Sequence, residues 1–340
     1  MDNGNSKMNT GKANVPAKRK FKAWVGAARP RTLPLALSSI ALGSLLAGSS
    51  GHFSMPVFLL AVLTTIFLQI LSNLANDYGD SIHGADHAGR TGPARAVQTG
   101  EITSSSMLNA VIAFALFSLF SGLTLLYIAF PGAVVPIVLF TLLGLACIVA
   151  AVTYTAGKKP YGYAGLGDIS VFVFFGLVGV CGTYYLHAHS LPLLILLPAA
   201  AVGLLSVGVL NVNNIRDIES DKLAGKRSIP VRIGPFPARI YHLCLLAGSI
   251  ACALIYVFLN YRDPRQFMFL IITPLFVLNG LLVFRRHEPA RLDPLLKQLA
   301  LSTLLFVLVF GFGELITGGL PLIKVPPPAI KASNSPGSPT

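Results

Sequence analysis

Residues 53–80 read FSMPVFLLAVLTTIFLQILSNLANDYGD, an uncharged run through position 74 that ends in two aspartates, Asp77 and Asp80. A helix rises 1.5 Å per residue and the hydrocarbon core of a bilayer is about 30 Å thick, so roughly 20 apolar residues cross it. This run is that long, and carboxylates follow within a turn of its end. Eight more runs of the same kind lie at 33–48, 107–130, 134–156, 169–186, 191–212, 240–259, 267–284 and 299–316, divided by Gly, Pro or charged residues. Backbone groups in lipid must be satisfied within the segment, so helices are expected; barrel strands would be shorter and would alternate. The expected fold is all-α, a polytopic membrane bundle of about nine transmembrane helices.

The composition agrees. Among 340 residues, 54% are hydrophobic and 11% charged, with a mean hydropathy of +0.69. Soluble domains carry roughly 25% charged residues, so this chain cannot cover a water-facing surface, and soluble and disordered classes are excluded. The net charge of +13 is read as loop asymmetry rather than a nucleic-acid surface. Of the 26 Lys and Arg residues, 22 fall in 1–32, 76–106, 157–167, 213–239 and 285–297, segments that share one side if nine spans are crossed in turn. The four others are Arg262, Arg265, Lys324 and Lys331. Basic loops stay cytoplasmic, so the N-terminus is expected inside and the C-terminus on the opposite side of the cell (inner) membrane. Residues 1–22 read as a polar basic tail, 23–318 as the membrane domain and 319–340 as a Pro/Ser-rich tail. No cleavable signal peptide is apparent. The cysteines Cys147, Cys181, Cys244 and Cys252 sit in apolar runs as small packing residues.

Acidic residues concentrate in two segments on the basic side, four spans apart. In the first, Asn73 and Asp77 stand at i,i+4 and Asp77 and Asp80 at i,i+3, with Asn76 beside them and Asp86 beyond. In the second, Asn213, Asp217 and Asp221 step by four. Such spacings place the groups on one helix face. Short oxygen donors supplied twice suit Mg²⁺, which binds through one or two carboxylates together with substrate phosphates. Basic neighbours Lys158, Lys159, Lys222, Lys226 and Arg227 suit a metal–diphosphate site. Solvated loop charges are the plainer reading of either cluster alone; two matched clusters favour a shared site. His83 and His87 read as solvated loop histidines, and aromatics such as Phe172, Phe174 and Phe175 as span packing. No Gly-rich nucleotide loop is present, so ATP chemistry is not indicated. A transporter or channel would place ionisable ligands near the bilayer midplane rather than at helix ends.

These residues resemble the UbiA superfamily of membrane aromatic prenyltransferases, whose signatures are Asn-Asp-x-x-Asp-x-x-x-Asp and a later Asp-x-x-x-Asp. Asn76-Asp77-Tyr78-Gly79-Asp80 matches the first, except that Gly84 stands at the third Asp position and Asp86 follows two residues later. That shift, the 159–168 loop KPYGYAGLGD and the segment from Asn211 through Arg227 are similar to the branch that acts on 1,4-dihydroxy-2-naphthoate. The resemblance implies helices around a central cavity in which Asp77, Asp80, Asp86, Asp217 and Asp221 hold Mg²⁺ on a polyprenyl diphosphate. Asn73, Asn76, Asn213, Lys158, Lys222, Lys226 and Arg227 would form the surrounding environment. Tyr154 and Lys158 match the family's Tyr-x-x-x-Lys pair, and the Tyr154 ring would flank a developing carbocation, although an interfacial aromatic anchor is the simpler reading of the residue alone. Arg29 and Arg31 resemble its basic start, and topology signalling explains them equally well. The implied activity is prenylation of the naphthoate with decarboxylation, giving demethylmenaquinone. Related acceptors would be 4-hydroxybenzoate or homogentisate.

Overall fold

The computed structural model describes residues 17–82 and 95–318; Asp86, His83, His87 and Gly84 lie outside them. Among the described residues, nine helical stretches are long and apolar enough to cross a membrane. The first runs Lys18–Ser49, and its part Leu33–Ser49 is labelled α1; the others are α2 (Met55–Ile82), α3 (Ser104–Ala129), α4 (Val134–Thr153), α5 (Gly167–Ala188), α6 (Leu193–Arg216), α7 (Pro235–Leu259), α8 (Pro264–Arg285) and α9 (Pro289–Ile316). The protein is a multi-pass membrane protein. Proline opens α7, α8 and α9, where its missing N–H has no intrahelical partner to lose. Thr103 caps α3 by accepting from the Ser106 amide at 3.2 Å.

The most buried core joins α1, α5, α6, α7, α8 and α9 through Leu46, Tyr184, Leu205, Tyr256, Phe276 and Phe306. By contrast α4 buries no side chain, and Val134, Val135, Leu139, Leu142 and Val149 stand outward. An apolar face of that size marks a surface that is covered in place, and on a span of this length lipid suits it. Lipid gives helices no hydrophobic drive to associate, so small residues set the close contacts. A Cβ on Gly176 would fall 2.8 Å from Gly203 Cα, which draws the α5 and α6 backbones together.

Three features depart from the sequence reading. A helix, Ala17–Ala28, begins inside the stretch read as a tail; it buries Ala23 and Ala27 against Leu71 and Leu74 of α2. In α5, residues Phe172–Gly182 wind as a wide π-helical stretch rather than an ordinary span. The Ser39 hydroxyl donates to the Phe175 carbonyl from α1, and insertion of a side chain into the backbone ladder is a recognised cause of such widening. Finally, α7 starts five residues early and takes in Arg239, whose guanidinium donates to the carbonyls of Pro235, Val283 and Arg286 at 2.9, 3.1 and 3.2 Å.

The C-terminal ends of α2, α4 and α6 and the N-terminal ends of α1 and α9 meet at one end of the bundle, and their side chains bond one another there. The described residues of the five segments read as the basic side therefore lie at a common end of the bundle.

Candidate active site

A cavity of about 530 Å³ opens at that end. Its inner wall is apolar, with Leu68, Leu119, Leu126, Phe140, Phe174 and Val178, and its mouth carries Asn76, Asp80, Arg95, Asn213, Asp217, Asp221 and Lys226. Phe175 also lines it, whereas the Phe172 ring packs against Gly203.

The first motif stays helical to Ile82, so Asn73, Asp77 and Asp80 share a buried face. Asn73 donates to the Ala28 carbonyl at 2.9 Å and to Thr32 Oγ1 at 3.0 Å. It thereby fastens the break between the N-terminal helix and α1, where Arg29 adopts a left-handed φ of 48°. A non-glycine residue there costs about 1–3 kcal/mol and needs such support. The strained backbone aims Arg29 at Asp77, with which it pairs, and Arg95 Nε lies 3.7 Å from the same carboxylate. Asp77 is not on the cavity wall; the motif presents Asp80 and Asn76 to it. Gly79 makes this possible, since a Cβ there would lie 2.6 Å from the Thr155 backbone. The Thr155 hydroxyl bonds Ala75 O and Asn76 Oδ1, both at 3.1 Å.

Asp80 pairs with Arg95, accepts from the Tyr163 hydroxyl at 2.5 Å and lies 3.3 Å from Lys226 Nζ. Lys226 is also 3.8 Å from Asp221 Oδ1 and sits 4.8 Å over the Tyr163 ring. One ammonium thus joins the two motifs. In the second motif, α6 ends at Arg216 and a short helix, Ile218–Leu223, resumes. Backbone bonds of 3.1 Å from the Asp217 amide to Asn213 O and 2.8 Å from the Asp221 amide to Asp217 O keep the four-residue stripe. Asp217 receives two bonds from Arg216, at 2.8 and 2.7 Å, and Arg216 reaches Asp293 of α9 at 2.5 Å.

The loop after α4 closes the site. The Arg227 amide donates to Tyr163 O at 2.9 Å and the Arg232 guanidinium to Ala164 O at 2.5 Å. Gly165, at φ +84°, leaves room for both residues. Tyr154 lines the cavity, its ring in edge contact with Tyr161 at 5.3 Å. Burial, then Tyr161 and the carboxylates of Asp168, Asp221 and Asp80, raise the Tyr154 hydroxyl above its ordinary value, so it stays neutral. Lys158, Lys222 and Arg227 are exposed and off the cavity wall, and Lys222 pairs with Glu219 at 3.1 Å. Sequence proximity placed them near the site, but their side chains leave it. Arg95, Tyr163, Asp168 and Asp293 line the cavity without having been assigned a role from sequence. Only the 159–168 motif could have pointed to two of them.

The mouth has the chemistry of a hard-cation site: its donors are carboxylate and amide oxygens. Among the described residues no three His, Cys, Asp or Glu side chains converge as an all-protein cage. The arrangement fits a Mg²⁺ completed by substrate phosphates, for which one or two carboxylates suffice.

The family model described as the UbiA prenyltransferase family matches residues 36–316. The chain belongs to the UbiA prenyltransferase family. A UbiA relative from Escherichia coli (strain K12), named 1,4-dihydroxy-2-naphthoate octaprenyltransferase, is 45% identical over 294 residues, covering 86% of this chain and 95% of its own length. One of the same name from Mycobacterium tuberculosis is 36% identical over 302 residues, 87% of this chain and 99% of its own. Among solved structures, a UbiA homolog from Archaeoglobus fulgidus bound to GPP and Mg²⁺ superposes with a TM-score of 0.63 at 20% identity, covering 86% of this chain and 99% of that one. At that identity the likeness establishes the UbiA fold.

Proposed function

We propose that the protein transfers a polyprenyl group from polyprenyl diphosphate to 1,4-dihydroxy-2-naphthoate, with loss of the ring carboxylate as carbon dioxide, giving the reduced, hydroquinone form of demethylmenaquinone with Mg²⁺ as cofactor. The observation that carries the reading is Lys226, 3.3 Å from Asp80 and 3.8 Å from Asp221. It sets carboxylates from two distant motifs around one cationic chamber at the mouth of an apolar cavity. The names of the 45% and 36% identical relatives support the acceptor.

Asp80, Asp217 and Asp221, with Asn76 and Asn213, would hold the metal, and Arg95, Arg29, Arg31 and Lys226 would take phosphate oxygens. A Mg²⁺ held by these residues would neutralise charge on the departing diphosphate. Tyr154 offers its ring face to the prenyl carbon as positive charge develops there. The apolar wall takes the isoprenoid chain and excludes water, which would otherwise compete for the same carbon. The naphthoate is a water-soluble acid and reaches this chamber from the side of the basic loops. That side is the cytoplasm by the distribution of Lys and Arg, and the membrane is the cell (inner) membrane. In a cysteine-free background, an impermeant maleimide applied from outside should label Tyr261→Cys but not Leu223→Cys.

The assay that tests the reaction supplies purified protein with polyprenyl diphosphates and a panel of aromatic acids, with and without Mg²⁺. Metal-dependent release of diphosphate and carbon dioxide with dihydroxynaphthoate is expected. Prenylation of 4-hydroxybenzoate or homogentisate instead would reassign the acceptor and leave the reaction class intact.

A further inference from the structure

The acidic side chains on the cavity wall are neutralised by cations, with one exception. Asp80 has Arg95 and Lys226, Asp217 has Arg216, Asp221 has Lys226, and Asp293 has Arg31 and Arg216. Asp168, on the first turn of α5, lines the same cavity and is 8% exposed. Among the described residues it has no cation at ion-pair distance; its side-chain partner is the Tyr241 hydroxyl of α7, which donates to Oδ2 at 3.0 Å. A carboxylate buried without a countercharge is costly, and the two aspartate motifs do not account for it. Its position is informative. Its chain neighbour Gly167 abuts Tyr154, where a Cβ would fall 2.8 Å from the phenolic oxygen, and Tyr154 feels the charge of Asp168 as it does those of Asp221 and Asp80. Asp168 therefore stands close to the ring that would flank the reacting prenyl carbon, and differs from the other carboxylates of the cavity in having no ion-paired cation among the described residues.

We propose that Asp168 is the base that accepts the ring-hydroxyl proton of the aromatic acceptor, held in place by Tyr241. The inference rests on the prenyl-transfer reading above. As the prenyl carbon–oxygen bond breaks, its electron pair leaves with diphosphate, and a ring carbon beside the hydroxyl-bearing carbon forms the new carbon–carbon bond. The oxygen supplies the electrons, becomes a carbonyl and sheds its proton to Asp168. Its O–H grows strongly acidic during that step, so a carboxylate of ordinary basicity suffices. The resulting β-keto carboxylate loses carbon dioxide, the bond pair passes to the oxygen as an enolate, and Asp168 returns the proton. No net proton and no further reactant is needed.

The competing account is that Asp168 only ties α5 to α7. Asp168→Asn separates the two, because the amide oxygen still accepts from Tyr241 while the base is gone. With purified full-length protein, kcat should fall about 100-fold or more, with the KM for polyprenyl diphosphate within about twofold. The deficit should shrink as the acceptor hydroxyl is made more acidic by ring fluorination. Tyr241→Phe, which loosens the tie and keeps the base, should cost less than tenfold. Thermal unfolding and binding of Mg²⁺ with diphosphate establish that each variant is folded. Near-normal kcat in Asp168→Asn, a deficit independent of acceptor acidity, or a larger loss in Tyr241→Phe would each overturn the assignment. Failure of the unsubstituted protein with every hydroxylated aromatic acid would overturn the prenyl-transfer reading itself, and this inference with it.

Discussion

Two regions of the bundle bury carboxylates, and they do so in opposite ways. At the mouth, Asp80, Asp217 and Asp221 face a cavity and are balanced by Arg95, Arg216 and Lys226, of which the lysine is the most exposed. At the other end, Glu314 of α9 is fully buried and receives bonds from Gln266 Nε2 at 2.9 and 3.2 Å and from Asn260 Nδ2 at 3.5 Å. Gln266 is itself spent, its carbonyl accepting from the Arg262 and Asp263 amides at 2.7 and 3.2 Å. Glu314 lines no part of the cavity. Burial of an acid is thus not what marks a site. Open space in front of it, and partners that a ligand can replace, distinguish a chamber from a clasp.

The distinction breaks first, if it is wrong, at the second motif. Asp217→Asn with Asp221→Asn keeps the shape and an oxygen on each side chain and removes the charge. Turnover per folded molecule should drop at least about 100-fold, the scale for losing a preorganised electrostatic partner of a transition state; the unfolding midpoint falls as well, because buried Arg216 loses a charged partner. Near-normal product formation would mean that these are solvated loop charges.

Lys226→Met tests the exchangeable partner. Charge-assisted bonds are worth about 1.5–3 kcal/mol, so the KM for polyprenyl diphosphate should rise roughly 10- to 100-fold. Binding of Mn²⁺ without diphosphate, followed by electron paramagnetic resonance, should tighten, because the ammonium no longer occupies the space between Asp80 and Asp221. Unchanged values on both measurements would make Lys226 a bystander.

How far this was legible in sequence follows from what each feature depends on. The spans are set by apolar length and the carboxylate stripes by helical spacing, both local, so they could be read in advance. The left-handed Arg29 could not, because it is held by Asn73 from another helix. Asp293 looks like a lone loop charge until Arg31 and Arg216 converge on it. The side chains of Lys158, Lys222 and Arg227 lie off the cavity wall, since closeness along a chain does not fix where a side chain points. The widened middle of α5 likewise waits on a hydroxyl from α1.

The smallest effect on turnover is expected at Glu314. In Glu314→Gln the side-chain carbonyl can still accept from Gln266, but the second oxygen becomes an NH₂ group that needs an acceptor in a packed region. Gly313 is already so close to the first turn of α8 that a Cβ on it would lie 2.9 Å from Arg265 O, which leaves little room to rearrange. A buried donor without a partner costs about 1–3 kcal/mol, so the unfolding midpoint should fall by several degrees. Turnover per folded molecule, measured well below that midpoint, should stay within about twofold, because nothing in the chamber touches this end. A loss of turnover comparable to that of the Asp217 and Asp221 variants, at full folding, would mean that the two ends are coupled and that Glu314 is more than a clasp.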